Sequence, residues 1–239
     1  MTGTEIDYEA NGTTLKGYLA QSGNAGPSAG VLVVPEWWGH NPYVRQRADQ
    51  LAALGYTALA VDMYGNGELA DTPDRAGELM NASFAAPDEM RARFDAAFAR
   101  LTAESSVDSS KVAAIGYCYG GAVALEMARA GVDLALVGSF HPGGLATTNP
   151  AQPGKLRAHV LVGLGADDPF VSEEDRGAFE QEMQAAGVAL DFVRYPGVVH
   201  GYTVPAATER GERFGLPLRY DESADQDSWQ RLVTALAAL

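Results

Sequence analysis

Six short apolar stretches alternate with segments of helical composition along most of this chain, and that alternation leaves few folds open to it. Val31-Leu32-Val33-Val34 is a continuous apolar run, the mark of a strand buried on both faces. Residues 56–61, 112–115, 134–139, 159–164 and 190–195 read the same way. Residues 44–54 carry apolar side chains at helical spacing and stop at Gly55, where a left-handed cap suits glycine. Residues 72–102 are helical in composition with a break near Pro87, and residues 120–130, 173–186 and 223–238 supply further helices. Ahead of these, residues 4–20 read as two antiparallel strands around Asn11-Gly12, followed by a small-residue loop over 23–30. The pattern predicts an α/β fold with a mostly parallel sheet, an N-terminal antiparallel hairpin and helices on both faces. No repeat, charge block or low-complexity linker interrupts it, so one domain over residues 1–239 is expected. In such sheets chemistry sits at the carboxyl ends of the strands.

Composition narrows the function. At 46% hydrophobic and 20% charged, the 239 residues hold ample material for a core covered on both faces. The residues from Met1 to Ala10 are polar and acidic, with neither the basic start nor the apolar stretch of a secretory leader. No apolar run is long enough to span a bilayer, so a soluble cytoplasmic protein is expected. A formal charge of −14 disfavours nucleic acid and anionic membrane as partners, because too few cations remain to neutralise phosphates. The expected partner is a small molecule, and the expected assembly is a monomer or weak homodimer. The single cysteine, Cys118, excludes an intrachain disulfide.

That cysteine lies in Gly116-Tyr117-Cys118-Tyr119-Gly120-Gly121, between an expected strand and an expected helix. The pattern is that of a nucleophile elbow with Cys in the Ser place. Glycines two residues to either side let the strand and helix backbones approach closely, which projects the side chain above the sheet. The adjoining helix N-terminus favours a negative sulfur.

A thiol nucleophile needs a base, and the base needs a carboxylate to orient it. Gly165-Ala166-Asp167-Asp168-Pro169 follows one expected strand, and Tyr195-Pro196-Gly197-Val198-Val199-His200-Gly201 follows the next. The order Cys, Asp, His is that of α/β-hydrolase triads. Asp168, the residue preceding Pro169, is chosen as the acid, and Asp167 could equally cap the following turn. Among the other histidines, His159 opens a strand and His40 sits in a loop. His141 follows a strand and could line a pocket, without a derived role. No histidine pair has helical spacing, one cysteine cannot build a thiolate zinc site, and no phosphate-cradling glycine loop is present. No cofactor and no metal are expected.

With Glu36 after the first buried strand and the three motifs above, the chain resembles the dienelactone hydrolase family, the carboxymethylenebutenolidases, over residues 15–236. The resemblance implies an α/β-hydrolase fold that opens a lactone ring through a Cys–His–Asp triad, here Cys118, His200 and Asp168. It implies that Glu36 accepts the thiol proton when substrate arrives, so the resting thiol can stay neutral. A carboxylate directly after a buried strand is otherwise avoided. The oxyanion hole is expected from the backbone N–H groups of Tyr119 and Trp37. The chain departs from the family at the substrate carboxylate. The arginine that family members carry shortly after the histidine is absent from His200-Gly201-Tyr202-Thr203-Val204, and Arg75, Arg91 or Arg93 is left to supply a cation.

Thiolate leaves a tetrahedral intermediate more readily than alkoxide, so a cysteine enzyme suits lactones, activated esters and thioesters better than amides. Trp37, Trp38, Tyr117, Tyr119 and Tyr202 cluster near the motifs and suggest an aromatic-walled pocket for a flat substrate. Two rival readings keep the scaffold. One is an acyltransferase or thioesterase, and the other is a catalytically silent ligand-binding relative, against which the complete set Cys118, His200, Asp168 and Glu36 argues.

Overall fold

The computed structural model describes residues 3–21, 23 and 26–239. Met1 and Thr2 of the polar start, and Asn24 and Ala25 of the small-residue loop, lie outside the described residues. Two compact units divide the chain, Met1–Ile115 and Gly116–Leu239.

The first unit opens with the hairpin of β1 (Thr4–Ala10) and β2 (Thr13–Ala20). Asn11 and Gly12 take φ of 48° and 77°, and a two-residue turn that matches strand twist requires positive φ at both places. The buried strand β3 (Ser28–Val34) pairs in parallel with β4 (Thr57–Ala60), and β2 pairs antiparallel with β4. Between β3 and β4 runs α1 (Pro42–Ala53), which begins two residues before the first apolar position of its pattern. Asn41 caps it by accepting from the Tyr43 N–H, and Pro42 occupies the first turn, where a missing N–H costs nothing. Pro87 then separates α2 (Pro73–Ala85) from α3 (Pro87–Thr102), starting the second helix rather than kinking one long one.

Asp62, just past β4, is a buried carboxylate with a structural task. It accepts from the backbone N–H groups of Lys16, Tyr64, Gly65 and Gly67 at 2.8 to 3.1 Å, which folds the turn after the strand around its two oxygens. Strand β5 (Val107–Tyr117) ends the unit in the strand order β1-β2-β4-β3-β5, and its last two residues open the second unit. It starts five residues earlier than its apolar run, because the polar, partly buried or exposed residues 108–111 separate that run from the buried Val107.

The second unit continues with α4 (Tyr119–Arg129) and the parallel strands β6 (Leu136–Phe140), β7 (His159–Gly165) and β8 (Leu190–Tyr195). Helix α5 (Glu173–Ala186) joins β7 to β8. Ser172 caps it, three acids fill its first turn, and a left-handed Gly187 ends it. Helix α7 (Glu222–Ala237) closes the chain. Between β8 and α7 lies α6 (Ala207–Phe214), which the apolar pattern does not announce: only Ala207 and Gly211 of its eight residues are buried. Gly211 is required there, since a β-carbon would stand 2.4 Å from the Leu218 carbonyl oxygen.

A buried ion cluster ties the unit together. Arg129 on α4 donates from Nε and Nη2 to the two carboxylate oxygens of Glu182 on α5, at 2.8 and 2.7 Å. It also donates to Glu126 at 2.7 Å and to the Leu145 carbonyl at 3.0 Å, linking two helices and the loop after β6. The fork of the guanidinium meets the carboxylate along both edges.

Candidate active site

The turn between β5 and α4 carries the thiol. Cys118 takes φ 54° and ψ −118°, a conformation that a residue with a β-carbon rarely adopts and that costs on the order of 1–3 kcal/mol. Neighbouring backbone holds it there. Its N–H donates to Phe140 O at 3.1 Å, and its carbonyl accepts from Gly143 and Gly121 at 3.0 Å. Gly116 has no room for a side chain, since a β-carbon would lie 2.0 Å from the Gly120 carbonyl oxygen. The close approach of strand and helix therefore demands that glycine. Cys118 is 8% exposed, at the N-terminus of α4.

Asp168 and His200 come from the turns after β7 and β8. Backbone bonds zip these turns together: Ala166 N–H donates to Tyr195 O at 2.8 Å and Asp167 N–H to Val198 O at 3.0 Å. Gly165 permits the approach, as a β-carbon there would sit 2.3 Å from the Val198 oxygen. Asp168 is buried and Asp167 exposed. His200 Nδ1–H donates to Asp168 Oδ2 at 2.7 Å, and Asp168 Oδ1 accepts from the Phe170 N–H at 2.9 Å. Arg176 on α5 fixes the turn itself, donating to the carbonyls of Ala166 at 2.9 Å and Asp168 at 3.1 Å. The structure thus brings together Cys118, Asp168 and His200, with the imidazole in hydrogen-bonding reach of the sulfur.

Burial by itself pushes the His200 pKa down. Negative charge on Cys118, the hydrogen bonds to Asp168 and Cys118, and the Asp168 charge overcome it and raise the pKa from 6.5 to about 10. The charge balance favours a protonated imidazole facing the sulfur, whereas the resemblance implies a thiol that stays neutral until substrate arrives.

Two rings that the sequence reading gave no role flank the imidazole. Phe170 meets it edge-on at 4.9 Å and is 48% exposed, and His141 meets it edge-on at 5.1 Å from the buried side. The signal for Phe170 was its place two residues after the acid. His141 carried only the signal of its place after a strand, because it belongs to neither motif. Of the expected aromatic wall, Tyr117, Tyr119 and Tyr202 are wholly buried. Tyr202 packs with Val198 and Ala224, and its ring lies 5.3 Å from that of His141. It is therefore a core ring behind the imidazoles rather than a wall facing substrate.

In the first unit, Glu36 lies two residues beyond β3 and is 5% exposed, and its carbonyl accepts from the Gly39 N–H at 3.0 Å. Trp37 follows, its carbonyl accepting from the Tyr64 hydroxyl at 3.0 Å and its ring meeting the buried Trp38 edge-on at 5.1 Å. The arginines expected to supply a cation are all engaged with acids. Arg75 is exposed and pairs with Glu68 and Glu78, each at 2.9 Å, so it is a surface ion-pair residue. Arg91 pairs with Asp95, and Arg93 with Glu89 and the Met63 carbonyl. Arg93 also borders a cavity of about 170 Å³ between α2 and α3, lined by Leu79, Ser83 and Met90. Among the described residues no group of three or more His, Cys, Asp or Glu is placed to hold a metal ion, and no helix is long and apolar enough to cross a membrane.

Comparison with known proteins assigns the fold and the family. Among curated relatives, the protein named usf from Aquifex pyrophilus is 29% identical over 235 residues, covering 97% of this chain and 96% of its own. A solved dienelactone hydrolase-like promiscuous phosphotriesterase from metagenomic libraries is 35% identical with a TM-score of 0.92, covering 100% of this chain and 98% of that one. A second structure, named m3DLH, is 36% identical with a TM-score of 0.92, covering 99% and 97% of the two chains. The fold is that of the α/β-hydrolases, with mostly parallel strands and an antiparallel N-terminal hairpin. The sequence model of the dienelactone hydrolase family matches residues 15–239, and the chain belongs to that family as a carboxylic ester hydrolase.

Proposed function

We propose that this enzyme hydrolyses a small lactone or activated ester through an acyl-thiol intermediate, with Cys118 as nucleophile, His200 as acid and base, and Asp168 as the orienting carboxylate. The observation that carries the reading is the imidazole held between a buried carboxylate at 2.7 Å and a thiol on a positive-φ turn. In the first half-reaction the Cys118 sulfur attacks the carbonyl carbon. The oxygen gains negative charge and is stabilised by the Tyr119 N–H at the start of α4, joined on the family resemblance by the Trp37 N–H. The tetrahedral intermediate collapses, the carbon–oxygen ester bond breaks, and the His200 imidazolium protonates the departing oxygen. In a lactone that oxygen stays tethered to the acyl group. In the second half-reaction His200 takes a proton from water, the hydroxide attacks the thioester carbon, and the thiolate leaves. Asp168 holds the Nδ1–H tautomer throughout and stabilises the imidazolium. The role of Glu36 as acceptor of the thiol proton likewise rests on the resemblance.

The test is a panel of lactones, aryl esters and a carboxylated dienelactone, run on the wild type beside Cys118→Ala. Loss of turnover in the variant, with a trapped acyl adduct in the wild type, supports the reading. Undiminished turnover without the thiol overturns it.

A second reading is turnover of phosphotriesters, favoured by the similarity to the promiscuous phosphotriesterase. The same thiol would attack phosphorus and expel an aryloxide. Release of p-nitrophenol from paraoxon, lost in Cys118→Ala, distinguishes this reading from ester hydrolysis alone.

A further inference from the structure

His141 joins the nucleophile turn to the loop that carries the base, although the proposed triad makes no use of it. Its backbone is part of the clamp on Cys118. The Cys118 N–H donates to Phe140 O at 3.1 Å and the Cys118 carbonyl accepts from Gly143 N–H at 3.0 Å, so residues 140–143 grip the strained residue from both sides. His141 lies between those two bonds and itself takes φ 37°. Its own N–H donates to Gly163 O at 2.7 Å, which pins the segment to the end of β7.

The ring reaches the other way. It is wholly buried, and its Nε2 lies 2.8 Å from the Thr203 hydroxyl, itself buried. Thr203 is three residues past His200 on the same loop. The ring also meets the His200 and Tyr202 rings edge-on, at 5.1 and 5.3 Å. A phenyl ring would fill this space without the cost of burying polar nitrogen, so packing alone gives no reason for an imidazole. What the imidazole adds is a hydrogen bond between two loops that lie far apart in sequence.

We propose that His141 is a positioning residue, locking the Cys118 turn and the His200 loop in register through its bond to Thr203. The inference rests on the triad reading, and it specifies what sets the distance between the Cys118 sulfur and the His200 imidazole. A displacement of about 1 Å between reacting groups can cost on the order of a hundredfold in rate.

The experiment compares Cys118→Ala, His141→Phe, His141→Gln, Thr203→Val and the His141→Phe/Thr203→Val double variant. Phenyl acetate hydrolysis gives kcat and KM, and alkylation by iodoacetamide across pH reports the ionisation of Cys118. Expected are falls in kcat of roughly 10- to 100-fold in His141→Phe and in Thr203→Val, with KM little changed. Expected too are a displaced pH midpoint of alkylation in both, a double variant no worse than the poorer single, and recovery of most activity in His141→Gln, which can still bond Thr203. If His141→Phe does not fold, Thr203→Val cuts the same bond from the other end and carries the test. Unchanged kcat and an unchanged alkylation profile, beside a lowered melting temperature only, overturn the inference, as does additivity in the double variant. Full turnover by Cys118→Ala overturns the triad reading itself, whereas an inert Cys118→Ala beside an unaffected Thr203→Val overturns only the role of His141.

Discussion

Asp168 binds His200 with one carboxylate oxygen and the Phe170 backbone N–H with the other, so neither oxygen is left to swing away from the imidazole. Its neighbour Asp167 is exposed, and only its backbone takes part, through the bond to Val198. The two adjacent acids therefore make a controlled pair. Asp168→Asn preserves shape but turns an acceptor toward an N–H, or forces the other imidazole tautomer. We expect kcat for phenyl acetate to fall by about 10³- to 10⁴-fold in Asp168→Asn. Asp167→Asn should stay within about twofold of the wild type, as surface changes usually do. Equal losses in both variants would refute the assignment of Asp168.

The His200 pKa, pushed up to about 10, sets the sign of the pH response. A raised imidazole pKa means the proton is held below that pH and lost as pH climbs through it. Departure of an alkoxide requires that proton, whereas departure of p-nitrophenoxide does not. The alkaline fall in kcat/KM should therefore centre near pH 10 for a saturated lactone and be much shallower for a p-nitrophenyl ester. Cys118→Ser replaces an ionisable sulfur by a neutral hydroxyl and removes the charge that raises the imidazole pKa. The hydroxyl proton must then pass to a neutral imidazole before the leaving oxygen receives it, so residual activity on the lactone should rise as pH climbs through the lowered His200 pKa and show no fall near pH 10. An alkaline limb in the same place for both enzymes would show that His200 does not face a charged sulfur.

Much of this arrangement was legible in the chain because it depends on backbone geometry that only certain residues allow. Gly116 and Gly165 mark two places where backbones pass within contact of each other, and both lie in the motifs. The parallel strands were readable because strands buried on both faces are apolar without alternation, as 31–34 and 112–115 are. Helix α6 was not, since Thr208, Glu209, Arg210, Glu212 and Arg213 give it no apolar stripe to detect. His141 escaped for a different reason. Its partners Thr203 and His200 are 62 and 59 residues away, and nothing local encodes a contact between loops. The ion pairs of Arg75 were not legible, because a cation in sequence carries no sign of the acids that fold against it, here Glu68 and Glu78.

Gly163 and Tyr202 make a second pair that packing alone decides. A β-carbon at position 163 would stand 2.4 Å from the Tyr202 hydroxyl oxygen and 3.2 Å from the Phe140 ring. Gly163→Ala should cost about 1–3 kcal/mol in urea unfolding, the usual penalty for overpacking a core. Removing the hydroxyl in a Gly163→Ala/Tyr202→Phe variant relieves the tighter of the two contacts and should return more than half of that loss. A double variant as unstable as the sum of the singles would place the strain at Phe140 instead.

Arg129 offers the sharpest test of stability, because it and its main partner are both largely shielded from water, at 2% and 12% side-chain exposure. In that setting the attraction between the charges is offset by the cost of dehydrating them, so the intact pair contributes little net stability. Breaking it is another matter. Arg129→Met keeps the apolar stem but leaves the Glu182 carboxylate without its guanidinium and the Leu145 carbonyl without a donor. The loss should be about 3–5 kcal/mol in urea denaturation. Glu182 Oε1 also accepts from the Ala151 N–H at 2.7 Å, so Gln is the substitution that keeps an acceptor there while removing the charge. Arg129→Met/Glu182→Gln should accordingly recover at least half of the lost stability. A double variant no more stable than Arg129→Met would mean that packing by the arginine, rather than the stranded charge, accounts for the loss.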